Sequence, residues 1–182
     1  MKKRALTLLV ALALVVGCVI GGTLAWLTAK TDAVVNTFTT SDIDITLTET
    51  NEEYKMVPGW TIHKDPKVTV VTGSEECYLF VKLEKSTNFD DYMTYTMAEG
   101  WTELENVDGV YYREVETGDM GTEFSVLEGN QVTVRDRVTK EMMTATEGNK
   151  PTLTITAYAS QLYKNNTETF TAAEAWENVS EN

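Results

Sequence analysis

One histidine, His63, and two cysteines, Cys18 and Cys77, bound the chemistry open to this chain. A lone imidazole cannot supply the two-histidine zinc set of a hydrolase. None of HExxH, the P-loop, GxSxG or CxxC occurs. A Ser-His-Asp triad would have to use His63, which lies between Ile62 and Lys64 in a turn-rich segment and reads as a surface histidine on a strand end. Cys77, in the apolar run Cys77-Tyr78-Leu79-Phe80-Val81, reads as a buried small hydrophobe rather than a nucleophile. The carboxylate pairs Glu52-Glu53, Glu75-Glu76 and Asp90-Asp91 are expected in loops as solvated charge. A calcium site around Asp90 and Asp91 would lack the spacing of an EF-hand loop. Trp26, Trp60 and Trp101 could line a carbohydrate face, although core packing is the commoner use of tryptophan. These residues predict a protein that is not an enzyme, with no catalytic, cofactor-binding or metal-ligating set and no cofactor.

The strongest signal lies at the N-terminus. Lys2, Lys3 and Arg4 precede residues 5–20, of which only Thr7 and Gly17 fall outside the apolar set. Gly21-Gly22-Thr23-Leu24-Ala25 follows, and this charged, apolar, small-residue order is that of a secretory signal. Cleavage after Ala25 would seat Thr23 and Ala25 in the small-residue pockets of a signal peptidase and leave Trp26 as the first residue. Two other readings compete. Counted on to Leu27, the apolar run reaches the ~20 residues that span a bilayer and would make a retained anchor. Val15-Val16-Gly17-Cys18 has the form of a lipobox, although the residues after Cys18 stay apolar where a lipoprotein turns polar.

Removal of residues 1–25 leaves 157 of the 182 residues, enough for one domain with a proper core. It takes three of the 15 basic residues and none of the 28 acidic ones, moving the net charge from −13 to −16. Such a field repels nucleic acid and anionic membrane, so membrane contact is expected only before cleavage. Cys77 is then the only cysteine, and no intramolecular disulfide can form. The C-terminal run, residues 174–182, shows no apolar tail and no sorting motif, so no anchor is expected there. Sequons at Asn165 and Asn178 matter only in a eukaryotic secretory route.

Threonine makes up 27 of those 157 residues, mostly beside Val, Ile or Leu, which suits a pleated surface. Period-2 alternation marks Ile43-Ile45-Leu47, Val68-Val70, Leu79-Val81-Leu83, Val132-Val134 and Leu153-Ile155-Ala157-Ala159. Residues 110–115 and 123–127 read as two more strands. Pro58-Gly59, Gly73-Ser74, Asp108-Gly109, Gly118-Asp119, Gly129-Asn130 and Gly148-Asn149 supply turns between them. Seven or more short strands, each with one apolar face, predict an all-β fold of two stacked antiparallel sheets or a barrel. One or two short helices are expected. Thr171 could cap residues 172–178, with Glu174 at the capping-box position and Trp176 as the apolar anchor, whereas residues 86–95 are ambiguous.

At the junction, Gly21-Gly22-Thr23-Leu24-Ala25-Trp26-Leu27-Thr28 is similar to signal peptides processed by the SipW-type peptidase of Gram-positive bacteria. The stretch Asn36-Thr37-Phe38-Thr39-Thr40-Ser41-Asp42-Ile43-Asp44-Ile45-Thr46-Leu47 resembles the first mature segment of TasA/camelysin-like proteins. Val57-Pro58-Gly59, Ile62, Asp65-Pro66, Val68 and Gly73-Ser74 extend the likeness, which is strong over residues 17–85 and general beyond. Ser41 departs from it, since such proteins commonly carry glycine there. The resemblance implies a two-sheet jelly-roll sandwich, secreted to the cell surface, whose best-known relatives polymerise into biofilm-matrix fibres by strand addition. A metallopeptidase label borne by one relative finds no ligand set here.

Three segments follow: a signal peptide over residues 1–25, a donor strand over 26–40 carrying Val34, Val35 and Phe38, and a β-sandwich over 41–182. No proline interrupts 26–40, so nothing blocks a ladder of hydrogen bonds. The function expected is that of a secreted structural protein of the cell surface or biofilm matrix. Its partners are copies of itself and, during export, a SipW-type signal peptidase. A monomeric surface adhesin, with Trp60, Trp101 and Tyr158 clustered on a concave face, is the alternative; a secreted metallopeptidase is a weaker one.

Overall fold

A computed structural model describes residues 42–50, 54–145 and 149–180. The signal peptide and donor segment, with Thr23, Ala25, Trp26, Val34, Val35 and Phe38, lie outside them, as does the Glu52-Glu53 pair. The described part belongs to one compact unit that begins at Thr40.

Its chain order is β1 (Ile45–Thr48), β2 (Thr61–His63), β3 (Lys67–Val70), β4 (Cys77–Lys85), α1 (Phe89–Tyr92), β5 (Met93–Thr94), β6 (Thr102–Glu103) and β7 (Val110–Val115). Then follow β8 (Phe124–Ser125), β9 (Gln131–Val134), α2 (Lys140–Ala145), β10 (Leu153–Gln161), β11 (Tyr163–Asn165), β12 (Glu168–Thr169) and α3 (Ala172–Ser180). The fold is mostly β, and every pairing is antiparallel. The sheets run β1-β3-β8, β10-β4-β7-β6, β2-β9-β5 and β11-β12.

Strand β4 organises the rest because its sequence is apolar on both faces. Leu79, Val81 and Leu83 enter one cluster with Val68 and Val70 of β3, Phe124 of β8 and Val132 of β9, so three sheets share that core. Tyr78 and Phe80 point the other way, into a second cluster with Val110, Leu162, Ala175 and Trp176 of α3. A strand covered on both sides reads as a continuous apolar run instead of an alternation. Each of its neighbours pairs over a long register, Leu153↔Lys85 to Gln161↔Cys77 on one side and Cys77↔Val115 to Lys82↔Val110 on the other.

The turn into β7 demands glycine. Gly109 sits at φ +73°, and a Cβ there would fall 2.6 Å from the Leu83 carbonyl oxygen. Its own carbonyl accepts the Leu83 N–H at 2.8 Å, so the turn continues the β4–β7 ladder. Residues 86–95, ambiguous in sequence, form the single turn α1 and the short strand β5. Asp90 and Asp91 lie in that turn rather than in a loop, facing Lys85 at 2.8 Å and Arg137 at 3.5 Å. Helix α2 was not expected; Thr139 starts it by accepting the Met142 N–H, and Met142 and Met143 cover Tyr92, Val134 and Val138.

Candidate functional site: an open seam between two sheet edges

Strands β1 and β10 each end their sheet and lie against one another. Among the described residues neither has a second partner strand. Leu47 stands opposite Val68, which is fully buried, yet Leu47 itself is 39% exposed. On β10, Ile155, Ala157 and Ala159 face Leu83, Val81 and Leu79 across the ladder. The β4 members are sealed and the β10 members are only half-buried. Core-facing apolar side chains on both lips therefore reach solvent where the two sheet edges meet. Unpaired N–H and C=O groups on such edges template the addition of a further strand.

Hydrogen bonds fix the β1 lip. Asp44 donates its N–H to Ser74 Oγ at 3.1 Å, and the Val71 N–H donates to the Asp44 carbonyl at 2.8 Å. Beyond the strand, the Thr50 hydroxyl donates to Asp65 Oδ2 at 2.6 Å and Lys64 Nζ lies 2.7 Å from Glu49. The two bonds from Thr50, its hydroxyl first and then its N–H, hold Asp65 below the ordinary carboxylate pKa.

The seam opens at one end into a cleft of about 370 Å³ lined by Asp42, Ile43, Glu75, Glu76, Gln161 and Tyr163. Glu76 is not the merely solvated charge expected. Its Oε1 accepts from Thr117 Oγ1 at 2.9 Å and the Thr117 N–H at 3.2 Å, and its Oε2 accepts the Tyr163 hydroxyl at 3.0 Å. The Thr117 bonds chiefly depress its pKa, and the same carboxylate raises that of Tyr163.

His63 ends β2, its side chain 67% exposed and 3.9 Å from Asp65 Oδ1. Cys77 is fully buried, and desolvation pushes its thiol up to about 11, far from nucleophilic use. No group of three or more His, Cys, Asp or Glu among the described residues is arranged to hold a metal ion. The aromatic trio of the adhesin alternative is not assembled. Trp60 stands 66% exposed at the β2 end, while the Trp101 indole N–H donates to the Ser125 carbonyl at 2.9 Å. Tyr158 packs edge-on against Trp176 on the opposite face of the central sheet. Sequence reasoning missed Arg113, whose guanidinium lies over Phe124 and Trp101. The alternation that places Tyr111 and Val115 inward was the signal that Arg113 shares their face.

Fold and seam together define the class: a small antiparallel all-β domain in which two sheet edges meet at a half-covered core face. No protein-family model matches the chain, and neither a curated protein nor a solved structure matches it.

Proposed function

We propose that the protein is an exported structural protein of the cell surface or biofilm matrix, assembling by donation of its mature N-terminal strand to the next copy. The half-covered core face along β1 and β10 carries this proposal. Residues 26–40 are the donor, with Val34 and Phe38 on one face of an extended segment and Val35 on the other. Each Å² of apolar surface so covered contributes about 25 cal/mol, and the main-chain ladder supplies register. In this proposal the domain is a jelly-roll sandwich of the TasA/camelysin-like kind, released after Ala25 by a SipW-type peptidase and non-enzymatic. Long-range pairings support that topology, since consecutive strands pair only at β6–β7 and β11–β12 among the described residues.

The test compares the mature chain, a form lacking residues 26–40, and Leu47→Lys, by electron microscopy, light scattering and thermal melts. The mature chain is expected to elongate into fibres. The truncated chain is expected to stay folded and monomeric, and Leu47→Lys to fold but not elongate, because a lysine on the lip blocks an added strand. A truncated protein that elongates at the full-length rate overturns strand donation. A truncation that instead lowers the melting temperature sharply assigns residues 26–40 to the domain's own sheet.

A further inference from the structure

Arg113 of β7 shares the core-facing side of its strand with Tyr111 and Val115. Its guanidinium carbon lies 3.8 Å from the centre of the Phe124 ring and 5.3 Å from that of Trp101. Both rings are held: Phe124 is buried in β8, and the indole of Trp101 is bonded to Ser125. Gly100, at φ +87°, makes room for the cation, since a Cβ there would fall 2.8 Å from Nη2. A planar guanidinium between aromatic faces is restrained in position and orientation.

Among the described residues Arg113 lacks a counterion, as does Arg135, whose Nε is likewise buried without a partner; what sets Arg113 apart is the pair of aromatic rings against its guanidinium. Lys64, Lys67, Lys82, Lys85, Arg137 and Lys164 each have a carboxylate oxygen within 3.5 Å. Among the described residues no hydrogen bond or ion pair engages Arg113, and its Nε is buried without a partner. The terminal nitrogens are not sealed in this way. Asp119 lies near enough to favour the charge but makes no ion pair, while burial draws the guanidinium below its ordinary pKa. An arginine remains charged nonetheless, and a desolvated cation without a hydrogen-bonded anion is costly.

We propose that Arg113, Trp101 and Phe124 form a carboxylate-binding site, in which the two terminal N–H groups of the guanidinium fork donate to both oxygens of a bound carboxylate. The rings keep water from its flanks, which strengthens a bidentate charge-assisted pair. The carboxylate comes from an acidic side chain of a second copy, in a chain with 28 of them, or from a small organic acid. This site goes beyond strand donation and does not depend on it.

The test is a propionate titration of the mature protein at constant ionic strength, with chloride as control, following the NMR signals of the Trp101 indole N–H and the Arg113 Nε–H. Saturable shifts with propionate and not with chloride are expected. Arg113→Met, which keeps an apolar chain between the rings, is expected to abolish them with the fold retained. Arg113→Lys, which keeps the charge without the fork, is expected to weaken binding several-fold. Asp119→Asn is expected to tighten it several-fold by removing a competing negative charge. If a second copy is the source, the same shifts appear on raising the protein concentration without propionate; if a free acid is the source, they follow propionate alone at every protein concentration. Shifts that never saturate, that match chloride, or that persist in Arg113→Met overturn the site and leave Arg113 a cover over the core.

Discussion

Glu174 does more than one carboxylate usually does. Its Oε1 lies 2.6 Å from Lys164 Nζ, its Oε2 accepts the Thr171 N–H at 2.8 Å, and its own N–H donates to Thr171 Oγ1 at 3.3 Å. Lys164 foremost, then Thr171, pull its pKa from 4.5 to about 2. The folded value is the lower one, so the contribution is complete above pH 4.5 and is lost as pH falls towards 2. Trp176 fluorescence should therefore report loosening of α3 across that window. Glu174→Gln should remove the acid-sensitive step and weaken the helix cap at neutral pH; an unchanged acid profile would discard the assignment. This motif was legible because Thr171 and Glu174 stand three residues apart, a spacing fixed by helix geometry. Glu76 was not, because its partner Thr117 lies 41 residues away and no local pattern ties them.

Helix α3 is short, and packing rather than propensity holds it. Trp176 meets Phe80 at 5.3 Å and Tyr158 at 5.2 Å between ring centres, closing the outer face of β4 and β10. Trp176→Ala should cost about 3–5 kcal/mol, a large part of the ~5–15 kcal/mol that stabilises a domain. Urea unfolding measures it, and a loss under about 1 kcal/mol would mean that the helix is an appendage. Long strands were the elements best read from sequence. The alternation of Leu79-Val81-Leu83 and of Leu153-Ile155-Ala157-Ala159 predicted faces that the clusters bear out. Strands of two or three residues such as β2, β6 and β12 leave no period to detect, and tertiary pairing alone defines them. The seam was equally invisible, because half-burial of a core face depends on which strands end each sheet.

Charge governs the molecule as a whole. At −13 for the full chain and −16 for residues 26–182, copies repel one another at neutral pH and low salt. Near 0.1 M salt the Debye length falls to ~10 Å, so exposed charges on neighbouring copies are largely screened. Assembly followed by light scattering should accelerate with added salt at neutral pH, and again as acid neutralises carboxylates. The gain should reverse once the Glu174 cap titrates, below pH 4.5. A rate indifferent to salt would show that charge does not limit assembly. The long register of β4 also acts in time. Its partner β10 pairs Lys85 with Leu153 and Cys77 with Gln161, so that ladder cannot begin until the chain beyond residue 153 is available. Contacts so distant along the chain make folding slow. A nascent chain that folds late stays threadable, and one exported as proposed would cross the membrane extended and close its central sheet only on the far side. Until then the apolar run from Cys77 to Val81 lacks its β10 partner and the α3 cover of its outer face, and a chaperone that binds unfolded chains would find a grip there.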